Sequence, residues 1–274
     1  MKKKRHIGIV GLGVVGAACK FGFEKLGHAV KVHDLKLRTS ITNVMDTDVT
    51  FICVPTPSNE LGACDTAIVE GVVQSLLTLR YEGVIAVKST VTPGTTSRMR
   101  LTHQTSSIVF VPEFLRERCA ISDFVENHSL LAVGCDDRFG VAPDAVYDLI
   151  VEVHGQYPKN VIRIGVGEAE MLKYFSNCFN ALRVVFANEI YDTCNALGLS
   201  YDDVKDAYIK TGAVPDIYLD VNENFRGFAG ACLPKDVKGL ANLIHSLGLD
   251  RKLIETIDTE NEKHKKTVFP GMRL

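Results

Sequence analysis

Residues 6–34 read HIGIVGLGVVGAACKFGFEKLGHAVKVHD, and this stretch decides the fold. His6 to Val10 is a short apolar run of strand character. The next six residues, Gly11-Leu12-Gly13-Val14-Val15-Gly16, hold three glycines at the spacing G-x-G-x-x-G, and Ala17 to Leu26 then follows helical spacing until Gly27. A second strand, Ala29 to His33, ends on Asp34. In a strand–loop–helix of this kind the three glycines act differently. Gly11 permits a tight turn, Gly13 lets a pyrophosphate approach the backbone, and Gly16 allows the helix to pack closely on the strand. The helix N-terminus then faces the phosphates. An acid at the end of the second strand receives the ribose hydroxyls of the adenosine half and repels the extra phosphate of NADP. Strand, glycines, helix and acid are in register, so residues 11–16 with Asp34 are expected to bind NAD; Lys36 and Arg38 are the neighbours that would favour NADP.

Further strands are expected at Thr50–Val54, Val84–Lys88, Ile108–Val111, Leu130–Gly134 and Val161–Ile164. Helices are expected near Thr66–Leu79, Thr95–His103 and Asp144–Val153. Alternating strands and helices predict an α/β fold with a doubly wound parallel, Rossmann-like sheet, whose ligand crevice lies beyond the carboxyl ends of the strands. Three polar clusters fall at those ends: Val54-Pro55-Thr56-Pro57, Lys88-Ser89-Thr90-Val91 and Pro112-Glu113-Phe114-Leu115-Arg116-Glu117. Each alone is ordinary turn chemistry. Together, on the rim that carries the glycine loop, they mark a site.

After Gly165 and Gly167 comes a long helical pattern, Glu168 to Leu197, with apolar residues at Met171, Leu172, Phe175, Phe179, Leu182, Phe186, Ile190 and Leu197. A helix of that length spans about 45 Å and can link two domains. Lys173 and Asn177 lie four apart on one of its faces. Ser200-Tyr201-Asp202-Asp203 opens a further helix with a capping pattern. The expected organisation is thus a cofactor domain over residues 1–165, then a long linking helix and a small all-helical domain over 166–274.

Near the end, residues 227–236 read GFAGACLPKD. Pro234 suits the first position of a helix over Lys235–Ser246, which places Cys232 at the helix N-terminus. Backbone N–H groups there, with Lys235 nearby, favour a thiolate and make Cys232 a candidate nucleophile. The competing reading is a small buried thiol. A last helix is expected over Lys252–Lys266, whose charged end (Glu260, Glu262, Lys263, Lys265, Lys266) reads as a solvated face.

Composition agrees with a globular protein that has a core. The 274 residues are 46% hydrophobic and 23% charged with a formal net charge of −2, which gives no electrostatic reason for nucleic acid or a membrane as partner. The eight cysteines (19, 53, 64, 119, 135, 178, 194, 232) form no C-x-x-C pair. Neither a metal site nor a disulfide framework is expected, and the compartment expected is reducing cytosol. Lys2, Lys3, Lys4 and Arg5 lead directly into a strand, so neither a secretory signal nor a membrane anchor is expected.

Taken as a set, GLGVVG, Asp34, VPTP at 54–57, KSTV at 88–91, PEFLRE at 112–117, EMLKYFSN at 170–177 and GFAGACLPKD at 227–236 resemble the UDP-glucose/GDP-mannose dehydrogenase family, and in particular its UDP-glucose 6-dehydrogenases. The resemblance covers nearly the whole chain. It implies oxidation of a sugar C6 alcohol to a carboxylate, UDP-glucose to UDP-glucuronate, using NAD twice. Cys232 would trap the aldehyde as a thiohemiacetal and carry the subsequent thioester. Lys173 with Asn177 would stabilise the oxyanion, Asp236 would position Lys173 and water, and Glu113 and Thr90 would serve proton transfer and water binding. Phe114, Leu115, Glu117, Phe228, Lys173 and Asn177 would line the sugar-nucleotide site. Val54, Pro55, Thr56 and Thr90 would join Gly11, Leu12, Gly13, Val14, Val15, Gly16 and Asp34 around NAD. A homodimer through the long helix is also implied.

Three departures stand out. Family members continue into a second Rossmann-like domain, whereas this chain stops at Leu274, so a member without that domain is expected. The family's GFGG reads GFAG, with Ala229 in place of a glycine. An arginine that commonly precedes the cysteine falls at Asp216, or at Ala213 if residues 216–218 are an insertion; Arg226 is the candidate substitute. Two alternatives stay open: a 3-hydroxyacid dehydrogenase of the same superfamily, against which Cys232 argues, and an NAD-binding remnant without turnover.

Overall fold

The computed structural model describes residues 3–136 and 143–264. They divide into two compact units, Met1–Pro57 with Cys64–Lys173, and Ser58–Ala63 with Tyr174–Leu274. In the first unit, β1 (His6–Val10), α1 (Val14–Lys25) and β2 (Ala29–His33) are followed by β3 (Val49–Ile52), α2 (Ala67–Thr78), β4 (Val84–Val87), α3 (Thr95–His103) and β5 (Ile108–Phe110). Then come α4 (Ala120–Val125), β6 (Leu130–Gly134), α5 (Pro143–His154), β7 (Asn160–Ile164) and the start of α6 (Val166–Leu197). The strands form one seven-stranded sheet in the order β2-β1-β3-β4-β5-β6-β7. This is the doubly wound, mostly parallel sheet expected from the alternating pattern.

Side-chain alternation explains the two layers. Ile7, Ile9, Phe51, Ala86 and Val109 point to one face, where Ala18, Cys19 and Phe23 of α1, Phe124 of α4 and Ile150 of α5 close the core. Val10, Ile52, Ile85, Val87, Ile108 and Phe110 point to the other, under Val69, Val73 and Leu76 of α2, Met99 of α3, and Val166 and Ala169 of α6. With both faces covered, the inner strands β3 to β6 read as near-continuous apolar runs.

The sheet departs from the expectation of parallel strands at one place. β6 meets β5 antiparallel through the single pair Phe110 and Gly134, and β7 then runs parallel to β6. The connection from β5 to β6 runs through a 3-10 turn, Glu117–Cys119, and the short helix α4.

The second unit continues with the rest of α6, then α7 (Tyr201–Ile209), α8 (Leu233–Ser246) and α9 (Leu253–Glu262). Ser200 caps α7, its Oγ accepting the Asp203 N–H at 3.2 Å, as its sequence suggested. α6 begins at Val166, so Gly167 lies within its first turn. α8 begins at Leu233 and takes Pro234 as its second residue, a position tolerant of proline because first-turn N–H groups have no intrahelical acceptor. One small core gathers Cys178, Ala181, Val185, Phe228, Val237 and Ile257, and another Ala187, Cys194, Tyr201, Leu219 and Val221. The last helix ends at Glu262, ahead of the expected limit; Lys265 and Lys266, like Lys2, lie outside the described residues.

Candidate active site

The glycine loop has the shape its spacing demands. Gly11 turns with φ of 91° and donates its N–H to the His33 carbonyl at 2.9 Å. A Cβ on Gly11 would stand 2.7 Å from the Cys53 carbonyl oxygen, and one on Gly16 would stand 2.0 Å from the Gly11 carbonyl oxygen. Both obstacles are backbone, so neither position admits a side chain. Gly13 is the N-cap of α1 and supplies no side-chain cap; an N-terminus of this kind fits a pyrophosphate. Leu12, Val14 and Val15 sit half-buried around it.

Asp34 closes the loop from β2. Its Oδ2 accepts the Leu12 N–H at 2.6 Å and its Oδ1 the Lys36 N–H at 2.7 Å. These bonds, Leu12 first, hold its pKa below the ordinary aspartate value despite partial burial, so the carboxylate is anionic beside the loop. At the ends of the neighbouring strands, the Ser89 hydroxyl donates to the Val54 carbonyl at 2.6 Å, tying the segment after β3 to the segment after β4. Thr56 is buried, Pro55 is exposed and Thr90 is half-buried. The Thr90 carbonyl accepts the Cys64 thiol at 3.4 Å.

The segment after β5 brings a charge into the interior. Glu113 is buried, and its Oε2 lies 2.9 Å from Nζ of Lys88, whose side chain is only 1% exposed. Oε2 makes no well-directed hydrogen bond, so the contact is an ion pair held by proximity. Burial opposes both charges, but their attraction outweighs it: the pKa of Glu113 is lowered and that of Lys88 raised. Glu113 Oε1 accepts the Phe114 N–H at 2.8 Å, and the Glu113 carbonyl accepts a bond from Lys173 Nζ at 2.5 Å. The Lys173 ammonium also lies 5.7 Å from the centre of the Phe114 ring. Leu115 packs at the edge of the core and Glu117 opens a short turn of 3-10 helix, Glu117–Cys119.

In the second unit Cys232 is exposed and forms the N-cap of α8, its carbonyl accepting the Asp236 N–H at 3.0 Å. Asp236, 1% exposed, is held on both oxygens: Asn177 Nδ2 donates to Oδ2 at 2.5 Å and Lys235 Nζ pairs with Oδ1. Phe228 is buried in the core with Val237 and Ile257. Its backbone N–H and C=O both bond the Asn261 side-chain amide, at 2.7 and 3.0 Å. Arg226 is engaged by Asn188 Oδ1 at 2.6 Å and Asp192 Oδ2 at 2.5 Å and lies over the Tyr191 ring. Cys178, behind Asp236, has its thiol pKa pushed up to about 12, first by burial and then by that carboxylate.

Residues 30–150 match the family model for the NAD binding domain of the UDP-glucose/GDP-mannose dehydrogenase family, and residues 167–263 match the model for its central domain. The chain belongs to this family. Among similar proteins, the UDP-glucose 6-dehydrogenase of Haloferax volcanii is 26% identical over 98% of this chain and 72% of its own length. The GDP-mannose 6-dehydrogenase of Pseudomonas aeruginosa is 28% identical over 96% and 70%. The solved UDP-glucose dehydrogenase of Pyrobaculum islandicum superposes with a TM-score of 0.84 at 25% identity, over 96% of this chain and 69% of that one. The family is one of NAD-dependent dehydrogenases, and the glycine cradle with anionic Asp34 fits that cofactor.

Three residues of this family member are not evident from sequence. Lys88 is visible there only as part of a polar cluster, although a lysine closing the apolar run VIAVK is itself a signal of a buried charge. Glu170 is fully buried and accepts the N–H groups of Gly94 and Thr96 at 2.6 and 2.7 Å, closing the N-terminus of α3. Asn261 sits inside the charged end that reads as a solvated face, yet it is 1% exposed. Among the described residues no group of three or more His, Cys, Asp or Glu could hold a metal ion, and no helix is long and apolar enough to cross a membrane.

Proposed function

We propose that the chain oxidises the C6 alcohol of a nucleotide sugar, UDP-glucose, to the carboxylate through a covalent intermediate on Cys232. NAD would supply the electron sink, one molecule accepting a hydride in the first oxidation and a second, after exchange, in the other. After the first oxidation the Cys232 sulfur adds to the C6 aldehyde, giving a thiohemiacetal. The second oxidation leaves a thioester, and water then cleaves the C–S bond to release the acid and regenerate the thiol. Cys232 at the N-cap of α8 is the observation that carries this reading, because unpaired first-turn amides stabilise a thiolate. Lys173 and Asn177 donate to the developing oxyanion. Asp236 fixes the Asn177 amide and orients water. Glu113 and Thr90 serve proton transfer and water binding. Phe114, Leu115, Glu117 and Phe228 shape the sugar-nucleotide site; the buried Phe228 would act by holding its backbone in place.

The same reading assigns residues 1–165 to NAD and 166–274 to the central domain, which pairs with a second copy along α6. Phe175, Phe179 and Phe186 are 65%, 47% and 57% exposed on that helix, with the first two rings stacked at 6.1 Å. Three exposed phenylalanines on one helix are what a homodimer would cover.

The test is NADH formation by the chain with NAD and UDP-glucose, with GDP-mannose in parallel and with Cys232→Ser and Lys173→Ala. Two NADH per sugar, lost on replacing Cys232, is the expected result. A folded chain that binds NAD without turnover on either sugar nucleotide would overturn the proposal.

A further inference from the structure

We propose that Lys88 is a positioning residue of this dehydrogenase: paired with the Glu113 carboxylate, its ammonium holds the Glu113–Phe114 segment, which anchors the Lys173 ammonium. The inference deepens the proposed function, since it rests on Lys173 acting at the reacting oxygen.

Each link is a contact within the first unit. Lys88 follows β4 and is 4% exposed; Glu113 follows β5 and is 6% exposed. Their 2.9 Å contact joins the ends of two adjacent strands. Glu113 then curls on itself, with Oε1 taking the Phe114 N–H at 2.8 Å while its own carbonyl takes Lys173 Nζ at 2.5 Å. The same side chain that meets Lys88 therefore fixes the peptide whose carbonyl and neighbouring ring meet Lys173. A carboxylate this deep stays charged only beside a countercharge. Among the other titratable neighbours, burial chiefly lowers the pKa of His128 and raises that of the Cys19 thiol, so burial favours the neutral form of each. With Lys88 gone, Glu113 keeps its charge only by turning outward to water, which breaks the Oε1 bond to the Phe114 N–H and loosens the turn that presents its carbonyl to Lys173, whereas a neutral amide at 113 can stay inside and keep that acceptor.

This differs from a countercharge that only supports folding, because it predicts a change at Lys173, which is linked to Lys88 through Glu113. A shift of the order of 1 Å in a group that meets the reacting atoms lowers the rate by on the order of 100-fold.

Brief acetic anhydride labelling of the folded chain, with modification at Lys173 and exposed Lys36 read by mass spectrometry, tests the idea without depending on turnover. In Lys88→Met, labelling of Lys173 relative to Lys36 should rise by about 10-fold or more. In Lys88→Met/Glu113→Gln, where no buried charge is left unpaired, it should return to within about twofold of the unmodified chain. A folded Lys88→Met with unchanged Lys173 labelling overturns the proposal, and so does a folded double variant with fast labelling. If Lys88→Met does not fold, the double variant decides alone. In the NADH assay, Lys88→Met should lower kcat by on the order of 100-fold and leave the KM for NAD within about twofold; an unchanged kcat is a further refutation. A lack of turnover in the unmodified chain would remove the proposed function and leave the labelling result standing.

Discussion

Replacing Asp34 by serine removes the acceptor that closes the glycine loop. The carboxylate takes two backbone N–H groups, from Leu12 at 2.6 Å and Lys36 at 2.7 Å, and bonds to a charged acceptor contribute about 1.5–3 kcal/mol each when buried. Asp34 is half-exposed, so water recovers much of this, and the net loss of stability should be about 1–2 kcal/mol. The cofactor effect has two parts. Loss of the ribose acceptor should weaken NADH by on the order of 10-fold, equivalent to about 1.4 kcal/mol. Loss of a negative charge facing the extra phosphate, with Lys36 and Arg38 close in sequence, should strengthen NADPH by a similar factor, since a unit charge at about 4 Å is worth between about 1 and 4 kcal/mol in solvent-exposed surroundings. Fluorescence titration with each reduced cofactor gives both numbers, and urea unfolding gives the stability. The pH dependence is a separate check. Asp34 has a depressed pKa in the fold, so its contribution is complete above its unfolded value near about 3.9 and is lost as pH falls through the folded value. The stability gap between the unmodified chain and Asp34→Ser should therefore persist down to about pH 4 and close below it. A folded Asp34→Ser that still prefers NADH to NADPH as strongly as before would refute the assignment.

Gly16→Ala should lose NADH affinity by on the order of 100-fold in the same titration, because its Cβ would meet the Gly11 carbonyl oxygen at 2.0 Å and the loop must shift. His154 is fully buried, and its pKa is pushed well below the ordinary value, by burial first and then by Lys88. The folded protein excludes its proton while the unfolded chain binds one below about pH 6.5, so stability should fall as pH drops from there, and urea midpoints at pH 7 and pH 5 should differ less in His154→Phe. Phe175→Asp with Phe179→Asp should convert a dimer to a monomer in sedimentation velocity without loss of NADH binding; an unchanged sedimentation coefficient would remove α6 as the dimer face.

The parts of this fold that sequence made legible are those where one residue type has one physical use. β1, β2 and α3 begin and end where their apolar runs and punctuating residues place them, because Gly11, Gly27 and Gly94 take positive φ angles that other residues avoid. The antiparallel turn of β6 was not legible, since LLAVG reads the same in either direction and the connection from Val111 to Ser129 is long enough for a parallel crossover as well. Lys88 and Asn261 were hidden for a different reason. Polar side chains are placed on the surface by default, and their burial depends on a partner far along the chain, Glu113 for one and the backbone of Phe228 for the other. Arg226 shows the converse: the residue suited by type to reach outward is already held by Asn188 and Asp192 within its own unit.

The surroundings of Cys232 also shift an argument that proximity in sequence had made. Lys235 stands three residues on and would by itself favour a thiolate, but its ammonium pairs with Asp236 in the same first turn. The two charges sum to zero, so Lys235 adds little net positive potential at the sulfur. Asp236 in turn is committed to Asn177 and Lys235 and lies 1% exposed, which makes it a fixed acceptor and an orienting group for the Asn177 amide. Cys232 also caps a helix. Pro234 has no N–H, and the Asp236 N–H is taken by the Cys232 carbonyl, so Leu233 and Lys235 supply the first-turn amides that lack an intrahelical acceptor. The proposed activation of Cys232 would draw on the dipoles of these amides, to which its sulfur makes no cap hydrogen bond, while Lys235 and Asn177 hold Asp236 in place.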